Sequence, residues 1–325
     1  MGLVGKRIVV DERPFMIWED EQINGNLEFI KNIDPAYFYY IADINYNVLK
    51  DENESGNRNH AALCIRIAYS HALETLFAFL FAALQAPHCI GGWLKKYQIA
   101  DLGKLITKVN KRKRILSKTK LNECNWEEIA KTIHKGFTLK DEKSSDTFKE
   151  QFAVLWRRFA NDFMDDNVRE EYNSLKHGFR INSGGFGLSL GIQDAPDIPA
   201  PAERMETIGY SQYGSTFPIE KRIRENEPSF RLIKHSRNWE IENYVHALNL
   251  ISISLNNIQS FLRIANGDKP SECKATYPGE IEYFMEPWKR ISGVYDISLE
   301  IVVKNEDIPV FTGEEILEYY NKLNS

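Results

Sequence analysis

Cysteine is scarce in this chain and scattered. Cys64, Cys89, Cys124 and Cys273 form no Cys-x-x-Cys pair, which argues against a thiolate zinc site and reads as four reduced, buried thiols. None of the seven histidines has a glutamate three residues before it, so the inward-facing Glu-x-x-His pairs of a di-iron bundle are missing. A P-loop, a Gly-x-Ser-x-Gly elbow and a His-Glu-x-x-His helix are missing too. No metal and no cofactor is expected. The most apolar run, residues 73–84, is shorter than the roughly 18 apolar residues a spanning helix needs, and it predicts a buried core helix instead. The first residues contain no long apolar segment, so no signal peptide and no membrane association is expected, and a cytoplasmic location follows. Basic excess is also lacking: the net charge is -5. Global charge therefore carries no nucleic-acid signature.

What is present is ordinary globular material, 325 residues with 43% hydrophobic and 27% charged, long enough for a sizeable core. Apolar periodicity predicts helices over residues 60–86, 92–117, 126–134, 147–177 and 238–265, and a short one after Thr312. Pro87 and Gly267 stop two of them. Short strands are predicted near "KRIVV" and "FMIW", then over 186–192, 207–213, 230–234 and 297–303. The fold class is mainly α: a helical bundle with a small β insertion and mixed α/β termini. The expected organisation is an N-terminal arm with short strands at 1–59, a bundle at 60–266 carrying the β insertion at about 180–236, and an α/β appendage at 267–325.

The helix at 238–265 repeats apolar residues at Tyr244, Leu248, Ile251, Leu255, Ile258 and Leu262, in alternating steps of four and three. That is a bundle-type seam, and its regularity suggests a homodimer or protein-partner interface. The glycines of "SGGFG" predict a tight turn before a strand rather than a phosphate cradle.

Charge is clustered locally. Residues 95–120 hold ten Lys or Arg against the single acid Asp101. Lys104, Lys108, Lys111 and Arg112 share a face if one helix carries them all, and such a face suits RNA phosphates. The plainer reading is a solvated helix surface.

The stretch "YNSLKHG" beginning at Tyr172 ends a predicted helix. Arg169, Asn173 and His177 are spaced by four, hence on one helical face. Arginine can stabilise charge on a phosphorane and imidazole can move a proton near neutral pH, so the three form a candidate catalytic set for phosphodiester cleavage. Lys176, His177 and Gly178 also make an ordinary helix C-terminus: cations against the dipole, then glycine. Arg66 and Glu74 on the central helix, with Tyr172 and Lys176, are possible supports.

This stretch, following a long helix, resembles the HEPN-like superfamily. The resemblance implies a helical bundle, often dimeric. Many members are metal-independent ribonucleases of toxin–antitoxin, CRISPR-associated and antiviral abortive-infection systems. The family places an arginine before a polar residue, with a histidine further on. Asn173 matches the polar residue and His177 the histidine, but Tyr172 stands at the arginine position. Non-catalytic HEPN-like domains also exist. The resemblance therefore implies either RNA cleavage, with Arg169 substituting from one turn earlier, or a non-catalytic binding or scaffold module.

Overall fold

The computed structural model describes residues 6–9, 15–18, 20–51, 56–115, 124–137, 142–177, 180–195, 198–222, 229–289, 293–304 and 312–323. It divides into two compact units, residues 1–176 with 240–291, and residues 177–239 with 292–325. The fold is mainly α with a small β part.

The first unit is built around α3 (Arg58–Gln85), which is buried on every side from Leu76 to Ala83 and keeps one open side before that, at Cys64 and His71. Among the described residues it is the one helix long and apolar enough to cross a membrane, yet 72% of its most apolar window is buried. A core helix meets the same test when neighbours cover every face. Here they are α2 (Tyr37–Lys50), α4 (Ile90–Lys96), α5 (Ile99–Asn110), α7 (Glu142–Met164), α8 (Asp166–Lys176) and α9 (Ile241–Ala265). The unit also holds α1 (Asp20–Lys31), α6 (Trp126–Ile133) and an N-terminal hairpin of β1 (Lys6–Val9) and β2 (Phe15–Trp18).

Residues 1–59 thus carry more than short strands. Their helices α1 and α2 both pack on α9. Buried amides tie them down. The Gln259 side-chain amide donates to the Ile30 and Ile33 carbonyls at 2.8 and 2.7 Å. Asn26 receives the Ile90 N–H at 3.0 Å and donates to Pro87 and Asn266.

The seam on α9 is also turned inward. Leu248, Ile251, Leu255, Ile258 and Leu262 are buried within this unit. Its regular spacing serves the bundle's own core, so the interface expected there is not a free surface.

Two expected helices are broken. The stretch 92–117 divides at Tyr97 and Gln98, where Gln98 and Asp101 make a reciprocal capping box at the start of α5. The stretch 147–177 begins earlier, at Glu142, and divides at Asp165. There the Asp165 carboxylate accepts the N–H groups of Asn167 and Val168 at 2.8 and 3.0 Å and caps α8.

The second unit contains β3 (Asn182–Ser183), β4 (Gly187–Leu190), β5 (Glu206–Tyr210), β6 (Gly214–Arg222), β7 (Ser229–Asn238), β8 (Asp296–Lys304) and α10 (Gly313–Leu323). Four strands form an antiparallel sheet ordered β3-β6-β7-β8, and β4 pairs with β5 separately. Its core is small: Phe217, Ile219 and Ile233, with Ile181 against them. Cross-strand ion pairs fix the β7–β8 register, Arg231 to Glu300 at 3.1 Å and Arg237 to Asp296 at 2.7 Å. Gly185 is needed because a Cβ there would lie 2.1 Å from the Ser211 carbonyl oxygen. Gly184 beside it has open space and is set apart instead by its positive φ of 132°.

The region 267–325 is therefore not one appendage. Residues 267–289 stay with the helices, where Phe284 is buried 5.1 Å from the Phe152 ring. Residues 296–304 complete the sheet. Strand β6 had no forecast, because Pro218 and the charges from Glu220 onward hide its short alternation of Phe217 and Ile219.

Candidate functional site

The helix α5 presents one apolar and one basic side. Leu102, Leu105, Ile106 and Val109 are buried, while Lys104 is exposed. The helix ends at Asn110 with a Schellman motif. The Lys113 N–H reaches the Lys108 carbonyl at 2.8 Å, and the Arg112 N–H reaches that of Val109 at 2.9 Å. The residue at the left-handed position is Arg112, φ 53°, where glycine is usual. Lys111 and Arg112 consequently lie beyond the helix and do not extend the face of Lys104 and Lys108.

Helix α8 runs antagonistic chemistry on its two sides. Glu171, Tyr172, Ser174 and Leu175 are buried, and Arg169 and Lys176 are exposed. With α3, α5 and the end of α7 it walls a cleft of about 920 Å³. The walls are largely apolar, with Leu73, Leu105, Phe163 and Val168 inside and the half-exposed Ile99 and Met164 at the lip. Glu74, Lys104, Lys108, Arg169, Tyr172 and Asn173 bring polar groups to it.

The cations on this cleft are already engaged. Lys104 stands 3.5 Å from Asp101, and Arg169 stands 2.9 Å from Asp166. Lys108 donates to the Ile115 carbonyl at 3.3 Å. Glu74 accepts a hydrogen bond from the neutral Tyr97 phenol at 3.2 Å and has no ion pair among the described residues. The Tyr172 hydroxyl is buried without any hydrogen-bond partner among the described residues. Burial, and next the Glu74 charge, push both phenols up, Tyr172 to about 12. Tyr172 thus keeps its proton at any ordinary pH. Its ring is fixed by His71, edge-on at 5.9 Å, and by the Lys176 ammonium at 5.9 Å.

Behind the cleft lies a polar network, buried at Arg66 and Glu171 and half-buried at Asp162, Tyr244 and Trp288. Arg66 is completely buried and donates from Nε and Nη2 to one Glu171 oxygen, at 3.1 and 2.6 Å. Its Nη1 donates to the Ser70 hydroxyl at 2.8 Å, and its guanidinium lies 5.1 Å from the Tyr244 ring. Close by on α3, the Tyr69 hydroxyl donates to Asp162, which also receives the Trp288 indole N–H at 3.2 Å. Burial raises the Asp162 carboxyl despite these donors.

The structure therefore gathers Arg169, Asn173, Tyr172, Glu74, Lys104 and Lys108 on one cleft. It does not add Arg66, which is sealed in its ion pair. His177 lies in the turn beyond α8, exposed, at the first residue of the second unit. Gly178, expected to end that helix, lies outside the described residues. Tyr97 and Glu171 went unforeseen in the sequence. A signal for Glu171 does exist, since it shares the inward side of α8 with Leu175, one turn on. Among the described residues no cluster of three or more His, Cys, Asp or Glu could hold a metal ion. No family model, no curated protein and no solved structure matches the chain.

Proposed function

We propose that the helical unit is a HEPN-like binding module of the non-catalytic kind, and that the cleft between α3, α5 and α8 is its working site. One observation carries this reading: a cleft of about 920 Å³ with apolar walls, onto which a few polar groups converge. Two further features favour binding over catalysis. Tyr172 occupies the family's arginine position, and its hydroxyl faces burial rather than solvent. Arg66, the other arginine considered as a support, is committed to Glu171 and so cannot meet a substrate phosphate.

A thermal-shift screen of chemically varied small molecules tests the proposal. Ligands should raise the melting temperature of the wild type but not of Val168→Trp, which fills the cleft. A screen without a single cleft-dependent stabiliser removes the proposal.

The second reading is a metal-independent endoribonuclease of the defence or toxin type, with Arg169, Asn173 and His177 as its catalytic set. The convergence of Lys104, Lys108 and Arg169 on one cleft favours it. RNA cleavage that survives EDTA and vanishes in His177→Ala would install it. The binding-module reading expects none.

A further inference from the structure

We propose that the helical unit holds a second site, a cavity among α5, α6 and α7 that binds a phosphoryl group, with Arg112 and Arg157 as its cationic arms. It is independent of the binding-module reading, since no residue lines both this cavity and the cleft of α3, α5 and α8.

The cavity measures about 290 Å³, and six polar side chains reach it: Asn110, Arg112, Asn125, Glu127, Arg157 and Asn161. Its chemistry is decided by which of their atoms are already used. The Asn110 side-chain oxygen accepts the Trp126 indole N–H at 2.8 Å, and the Asn125 side-chain oxygen accepts the Glu128 N–H at 2.8 Å. Both partners can only donate, so neither amide can be turned round. Each amide therefore presents its NH2 group, and neither NH2 has a partner among the described residues. Arg112 has no ion pair among them either. Arg157 meets Glu127 through Nη2 alone, which leaves its other guanidinium donors open.

The lining thus offers donors and one acceptor, the Glu127 carboxylate, which Arg157 already engages. Two arginines against one glutamate leave it with a formal charge of +1. A cation is repelled there, and an anion meets four donor groups. These donors stand on three separate elements: the end of α5, the residue before α6, and α7. A planar carboxylate turns two oxygens one way. A phosphoryl group spreads three terminal oxygens tetrahedrally and meets donors from several sides. The exposed Lys111 and Lys113, beside Arg112 in the chain, add attraction at longer range. The left-handed turn that takes Arg112 off the face of Lys104 and Lys108 places it on this cavity.

Calorimetric titration with inorganic phosphate at constant ionic strength tests this, beside adenosine 5′-monophosphate and adenosine. Saturable binding of phosphate points to a free ion, and binding of the monophosphate alone points to an ester; either supports the inference, and adenosine should not bind. Asn110→Asp keeps an oxygen for the Trp126 indole but adds a carboxylate to the cavity. It should weaken the bound phosphate compound by about tenfold or more. Arg112→Gly suits the left-handed backbone, so it should weaken binding while melting no lower than the wild type. Glu127→Gln frees Arg157 and should instead tighten binding severalfold, which a merely structural role would not produce. The inference is overturned if neither phosphate nor the monophosphate binds, or if adenosine binds as well as its monophosphate. Binding that none of the three variants changes also overturns it, because the anion then sits on the exposed lysines. A cleft ligand lost in Val168→Trp bears only on the binding module, so the two sites fail separately.

Discussion

The Arg66 Nη2 lies 2.6 Å from a Glu171 carboxylate oxygen, and the two side chains are 1% and 0% exposed. The charges come from helices 105 residues apart in sequence. A pair this deep is a commitment. Its mutual attraction offsets a desolvation cost of several kcal/mol per ion, and removing one partner strands the other.

Glu171→Met alone, or Arg66→Met alone, should therefore destabilise the helical unit by about 3–5 kcal/mol, as a buried unpaired charge does. The double variant Arg66→Met/Glu171→Met should be milder than either single change, because it strands no charge. Urea denaturation of the four proteins in the cycle measures this. Additive losses would mean that the two residues act independently.

A different expectation attaches to Arg112. It holds a left-handed conformation, φ 53°, at the C′ position of α5, where side chains other than glycine are strained. Arg112→Gly should stabilise the protein by about 0.5–1 kcal/mol, the strain relieved less the added backbone entropy of glycine. Thermal melts read the change. A loss of stability would show that the arginine side chain contributes more than its backbone costs.

These two sites mark what was legible in the sequence. Core helices α3 and α9 were, because apolar periodicity is local and Pro87 and Gly267 punctuate it. The end of α5 was not, since its Schellman motif uses arginine in place of the glycine that signals one. Nor was the break at Asp165, where a capping aspartate reads as one more exposed helical acid. The spacing of Arg169 and Asn173 lies within one helix and was visible. The meeting of Glu74, Tyr97 and Tyr172 depends on three helices and left no local trace. The seam on α9 is legible as a pattern, but periodicity shows that a face is covered and not by what, and here the bundle's own helices cover it.

His134 predicts the pH response. It is 1% exposed, stacked on Phe152 at 4.5 Å and Trp156 at 5.8 Å. Its Nδ1 donates to the Ala130 carbonyl at 2.8 Å, and its Nε2 accepts from the Asn257 amide at 3.2 Å. That pattern is the neutral ring, protonated on Nδ1. Burial, foremost, lowers its pKa to about 4. Between that value and the unfolded value of about 6.5 the unfolded chain binds the extra proton, so stability falls as pH falls through this window. The loss at the acid end is about 3 kcal/mol. Denaturation midpoints between these pH values should slope downward in the wild type and much less in His134→Gln.

The last test contrasts two phenols beside Glu74. Tyr97 donates to that carboxylate at 3.2 Å, while the Tyr172 hydroxyl is buried with no partner among the described residues. The same chemical change, loss of one hydroxyl, should therefore have opposite signs. Tyr97→Phe removes a hydrogen bond to a charged group and should cost about 1.5–3 kcal/mol, less to the extent that water replaces it. Tyr172→Phe removes an unsatisfied group and should stabilise the free protein by about 1 kcal/mol. Melting temperatures of the two variants beside the wild type read the two signs. If Tyr172→Phe melts lower than the wild type, its hydroxyl is satisfied in solution.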